Sequence, residues 1–172
     1  MDSIYAGETL LERGSSWDKD YIIPAPSFVT FEGKHWLYYC GGNERHEAIN
    51  CAVKQSKCQN VKRKIGVSTT LQDRFAYFST IHPHSVGHLL TKVVIAHGDG
   101  IAVNAIVKGQ LWLEIIQAGT IVATSKRIDN SDSVQINCVW EDEFSWKHLD
   151  GVQIQLKFYL ENARLYAFEF IK

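Results

Sequence analysis

The sequence predicts an all-β fold in two parts, an antiparallel meander followed by a β-sandwich. Three observations predict it. Short runs rich in Val, Ile, Phe, Tyr and Trp recur from residue 21 to the end, and several alternate apolar with polar residues. Gly, Asn and Asp punctuate them at turn-like intervals. No segment sustains a helical period, and 143–149 can hold at most a turn or two.

Length and charge narrow the function classes. At 172 residues the chain fits one ordinary domain or two small ones. With 18 basic against 19 acidic side chains and a pI of about 6.6, no general nucleic-acid or membrane-surface role is expected. No apolar run approaches the ~20 residues that span a bilayer, and no signal peptide is visible at Met1–Glu8. The compartment therefore stays open. Cys40, Cys51, Cys58 and Cys138 lack CxxC spacing, so free or buried thiols are expected rather than a zinc site. A Cys51–Cys58 bridge would require an oxidising compartment. No cofactor is implied.

The first part, residues 1–80, begins with a possible strand at 8–12 and a turn-rich loop, 13–18, carrying Trp17. Tyr21-Ile-Ile23 leads into Pro24-Ala-Pro26, whose prolines keep the backbone extended. A hairpin follows: 28–31, the Glu32-Gly33-Lys34 turn, and the aromatic run 35–40. It ends in Gly41-Gly42 and a polar tip, Asn43-Glu44-Arg45-His46-Glu47, which opens a long loop to Arg63. Residues 64–70 and 74–79 read as third and fourth strands. Four sequential antiparallel strands form the meander from which propeller blades are built, but the chain holds no second copy of this unit.

The second part, 81–172, opens with a connection at 81–87 and continues in seven strand-like runs: 88–96, 100–107, 110–117, 120–128, 133–140, 152–160 and 164–171. Turns are expected at Gly98-Asp99-Gly100, Lys108-Gly109, Ala118-Gly119 and Asp129-Asn130-Ser131-Asp132. Val152, Ile154, Leu156 and Phe158 share one face, and Ile101, Val103, Ala105 and Val107 another, as a jelly-roll-like sandwich needs. Trp112, Trp140, Trp146, Phe158, Tyr166, Phe168 and Phe170 are expected in its core, with one or two of them free to stack on a sugar.

Two ordered sets of short motifs resemble a known family. Gly14-Ser-Ser-Trp-Asp18, Pro26-Ser-Phe-Val, Gly33-Lys-His-Trp-Leu-Tyr-Tyr, Ile65-Gly-Val and Asp73-Arg-Phe75 resemble the last blade of the five-bladed β-propeller glycoside hydrolases, invertase-like and arabinanase-like. Leu111-Trp-Leu-Glu-Ile115, Val139-Trp140, Leu149-Asp-Gly151 and Ala163-Arg-Leu-Tyr-Ala-Phe-Glu-Phe170 resemble the C-terminal sandwich of the invertase-like (family 32-type) enzymes. The resemblance runs from about Ser15 to the end. It implies carboxylate-driven glycoside cleavage. In that family the carboxylates lie on earlier blades, so none carries over to a residue here. The expected function is a glycoside-hydrolase-related chain, not catalytic by itself, with the sandwich as support. Alternatives are a non-catalytic carbohydrate- or protein-binding module, or a glycosidase completed by another chain or by self-association.

Strand parity selects the candidate site. In an up-and-down blade the loop entering the first strand and the loop joining the second and third lie at one end. That groups Trp17, Asp18 and Asp20 with Glu44, Arg45 and His46 as candidate substrate-binding residues. Trp17 can stack on a sugar ring while the polar groups bond hydroxyls; the bland alternative is local packing and solvated charge. Asp18 and Glu44 are the carboxylate pair of this end, although a lone blade cannot enclose them. His82, His84 and His88 have no acidic or cysteine partner in sequence and read as surface residues. The lysines between 54 and 64 read as a solvated loop. The partners implied are carbohydrate, or another chain along the exposed blade edge.

Overall fold

The computed structural model describes residues 10–44, 62–82, 84–141 and 144–172. The fold is all-β, with every described strand pairing antiparallel. The chain divides between Gln72 and Asp73 into two compact units.

The first unit is a sheet built around one strand. Its elements are β1 (Tyr21–Pro24), β2 (Val29–Phe31), β3 (Lys34–Gly42) and β4 (Arg63–Leu71). β4 pairs with β3 along its whole length, from Lys34↔Leu71 to Gly42↔Arg63. The other edge of β3 is shared by β2 near Lys34 and β1 near Gly42. Proline explains the division, because Pro24 and Pro26 bring no N–H to the ladder. Between them, Ala25 N–H donates to the Tyr38 carbonyl at 2.8 Å. The β2–β3 hairpin closes through Glu32 and Gly33, both at positive φ (51° and 68°), as a two-residue mirror-image turn requires.

Two sequence expectations change in this unit. Leu10–Glu12, the described part of the proposed first strand, is not a strand. Residues 74–79 do not form the fourth strand of the meander; only Phe78–Ser79 (β5) is extended, and it pairs with Arg164 and Leu165 of the second unit. Side chains anchor this segment there. Arg74 donates to Asn104 Oδ1 (2.9 Å), pairs with Asp132 (2.8 Å) and lies over Tyr166, while Tyr77 meets Tyr166 edge-on. The fourth strand of this sheet is β1, which pairs with β3 on the side away from β4.

The second unit is one sheet folded on itself. Beyond β5 come β6 (Gly87–Leu90), β7 (Val94–Ile95), β8 (Gly100–Gln117), β9 (Thr120–Thr124), β10 (Ile128–Asn137), a 3-10 turn at Trp146–His148, and β11 (Gln153–Ile171). The runs 100–107 and 110–117 are thus a single strand, as are 152–160 and 164–171. Ala118 and Gly119, at φ 49° and 82°, form the tight turn expected between β8 and β9.

Lys108-Gly109 and 129–132 are not chain reversals but points on a crease. Pairing passes from Asp129↔Gln110 to Ser131↔Val107, and from Glu161↔Gln110 to Ala163↔Val107. Asn130 and Asn162 are the single residues left opposite the Lys108-Gly109 pair, and both are at positive φ (38° and 46°). β8 therefore bulges against both of its neighbours on one line, and bulges bend strands. The bend is sharp. Phe158 and Phe168 would stand ~33 Å apart on a straight strand, yet their ring centroids are 5.4 Å apart.

One core lies within the fold of the sheet. β8 contributes Ile101, Val103, Ala105, Val107, Leu111, Leu113 and Ile115, all buried. In β11 the buried set is Ile154, Leu156, Phe158 and Leu160, then Ala163 and Leu165; Phe168 and Phe170 pack against it. Each change of parity coincides with a register shift, at Glu161/Ala163 and Leu165/Ala167, since one inserted residue turns every later side chain to the other face. Trp146 caps the core and Trp140 packs against it. Where β9 ends, the fully buried Ser125 hydroxyl accepts the Leu113 N–H and donates to the Lys126 carbonyl, both at 3.0 Å.

Candidate functional site

The sequence-selected residues gather at the Gly42 end of β3. Asp20 N–H donates to the Gly42 carbonyl (3.1 Å), which brings the segment before β1 alongside the end that carries Glu44. Trp17 stacks on Tyr39 with centroids 5.7 Å apart and planes 9° from parallel. The Tyr39 hydroxyl donates to Asp18 Oδ2 at 3.0 Å. Close packing explains Gly41: a Cβ there would sit 2.9 Å from the Asp18 Cβ and 3.1 Å from the Trp17 ring. Gly14 likewise leaves room for the Asp18 carboxylate. Sequence reasoning did not select Tyr39, the residue on which Trp17 and Asp18 converge; its odd-numbered position beside Leu37 and Gly41 was the available signal.

The geometry gives these groups local work. Asp18 is 8% exposed, so its carboxylate is held inside the unit. Burial, then the hydrogen bond to Asp18 and its charge, raise the Tyr39 pKa above the usual phenol value of 10.0. Glu44 bonds Arg63 through Nε (2.8 Å) and forms a salt bridge with its Nη2. Arg45 and His46 lie outside the described residues, as do Cys51 and Cys58. Asp20 and Trp17 remain at the surface, exposed and half-buried respectively. Beside them an open groove of about 680 Å³ is lined by Glu12, Arg13, Lys19 and Tyr21 among others. Among the described residues no three His, Cys, Asp or Glu side chains gather as metal ligands. His82, His84 and His88 are exposed.

The opposite face of the same sheet carries a feature the linear sequence hides. Register places Ile23 opposite Cys40 and Cys40 opposite Ile65; Val67 faces Tyr38, and Val29 faces Trp36. Phe31 and Leu71 flank Lys34 on the same face. Ile65 is 78% exposed, Phe31 60% and Val29 55%, and Ile23, Tyr38, Val67 and Leu71 are exposed with them. Contiguous apolar exposure of this kind marks an interaction surface or an aggregation hazard.

Aromatic residues outside the core of the second unit form a closed stack. Trp112 and Tyr159 lie 4.9 Å apart and nearly parallel (3°), with Arg127 over Trp112 (4.0 Å) and Lys157 over Tyr159 (4.8 Å). Trp112 and Tyr166 were expected in the core. They belong instead to the outer surface, Tyr166 beneath Arg74. The reason is parity, because Leu111 and Leu113 take the inner positions of β8. The chain matches no protein-family model, no curated protein and no solved structure.

Proposed function

We propose that this chain is related to the five-bladed propeller glycoside hydrolases, lacks hydrolytic power of its own, and serves as an assembly module. Its first unit packs the apolar sheet face against another β-layer; in the purified protein the layer at hand is a second copy. The observation that carries this reading is the exposed, in-register apolar face of β1–β4. Stacked sheets cover such faces about 10 Å apart. The engagement of Asp18 by Tyr39 and of Glu44 by Arg63 supports the non-catalytic half, because glycoside cleavage needs two carboxylates flanking an open bond.

The reading is tested by assaying the purified chain on β-fructosides and arabinans. No turnover above background is expected. Turnover lost on Asp18→Asn and Glu44→Gln together would overturn the non-catalytic reading and restore these carboxylates as an acid–base pair.

A further inference from the structure

We propose that a cleft beside the crease of the second unit binds an oxyanion carried on a polyol, that is, a carboxylate- or phosphate-bearing sugar. The cleft has a volume of about 410 Å³ and is lined by Ser79, Thr80, Lys108, Asp132, Asn162 and Arg164 among others. That size is typical of small-molecule sites. It lies wholly within the second unit, so it stands or falls apart from the assembly reading of the first.

Charge selects the ligand class. Lys108 and Arg164 bring two cations to the cleft, and Asp132 is its acidic residue. Asp132 is already matched by Arg74 at 2.8 Å, and the Arg74 side chain is only 8% exposed. Arg74 is held by Asn104 and by the Tyr166 ring, so it stays beside Asp132. With Asp132 paired from behind by Arg74, the exposed Lys108 gives the cleft lining a positive charge. A guanidinium and an ammonium together suit a carboxylate or phosphate, the first as a planar fork and the second as a point charge.

The donors are also held in place. Arg164 lies over the Tyr77 ring at 4.6 Å, and Tyr77 rests edge-on against Tyr166, so the guanidinium is seated on an aromatic pair. Ser79 is the cross-strand partner of Arg164, which sets a hydroxyl beside the cation, with Thr80 next along the chain. Lys108 lies in the β8 bulge and Asn162 stands opposite it, between pairs whose register is fixed on both sides. Cations flanked by hydroxyl and amide groups favour an anion bearing hydroxyls over a bare anion or a neutral sugar.

The test titrates the full chain with D-glucuronate, glucose 6-phosphate, inorganic phosphate and glucose, followed by amide chemical shifts. At least one acidic sugar is expected to bind more tightly than both glucose and inorganic phosphate, shifting amides of residues 79–80, 108 and 162–164. Glucuronate alone assigns the carboxylate form, glucose 6-phosphate alone the phosphate form, and either upholds the proposal. Lys108→Glu, at an exposed position, is expected to weaken binding roughly tenfold or more with the melting temperature unchanged. Lys108→Ala provides the milder second variant. The proposal is overturned if glucose or inorganic phosphate binds as tightly as the acidic sugars, if no ligand binds at millimolar concentration, or if both Lys108 variants bind as the parent does.

Discussion

Asp18, a residue selected for its chemistry, is also held by its neighbours in the fold. A carboxylate next to Trp in a polar loop has the composition of a sugar site, and sequence alone leaves that reading beside local packing. Its partner in the fold is Tyr39, more than twenty positions away, which bonds it and stacks on Trp17. That pairing depends on register, which a linear motif does not carry. The raised Tyr39 pKa gives a direct readout. Ultraviolet titration should find one phenol ionising above the usual range, and Asp18→Asn should lower it towards 10.0. Because the folded value is raised, the associated stability is complete below pH 10.0 and is lost as pH rises through the folded value.

Cys138 makes the complementary case. Burial pushes its thiol up to about 12, whereas Cys40 is exposed on the sheet face. In a Cys51→Ser, Cys58→Ser background, a thiol reagent at pH 8 should modify Cys40 in the native protein and Cys138 only after unfolding. Rapid native labelling of Cys138 would contradict its place in the core.

At the level of elements, the sequence located the strands of the second unit better than it located their ends. Lys108-Gly109 and Asn162 carry the same residue signals as a chain reversal, because a bulge and a turn both demand small residues or positive φ. Only the partner strands distinguish them. The parity record was available: the buried even positions of 154–160 give way to the odd positions 163 and 165, as one inserted residue predicts. The two glycines then separate in their expected cost. Gly109→Ala would drive a methyl into the Glu161 carbonyl oxygen and should cost about 2 kcal/mol or more. Gly119→Ala meets nothing within 4 Å but sits at φ 82°, so the cost should be nearer 1 kcal/mol. Urea unfolding of both variants checks the order; equal losses would contradict the crease geometry.

For the whole molecule, the all-β class was legible because the strands alternate and no helical period competes. The departure lies at 74–79, whose strand-forming residues fit either sheet; the bonds of Arg74 to Asn104 and Asp132 tie that stretch to the second unit. The apolar face of the first unit was invisible for a related reason. In sequence Ile65 and Val67 read only as part of a third strand, and the register with Tyr38 and Cys40 shows them sharing one exposed face. Covering that surface is the central claim. The deciding measurement is sedimentation equilibrium of the purified chain from 1 to 100 µM beside Ile65→Lys/Val67→Lys. The account predicts a mass that rises above 19.5 kDa with concentration in the parent and stays monomeric in the variant, with its β-sheet circular dichroism retained. A parent that remains at 19.5 kDa throughout, or a variant that associates equally, would contradict it.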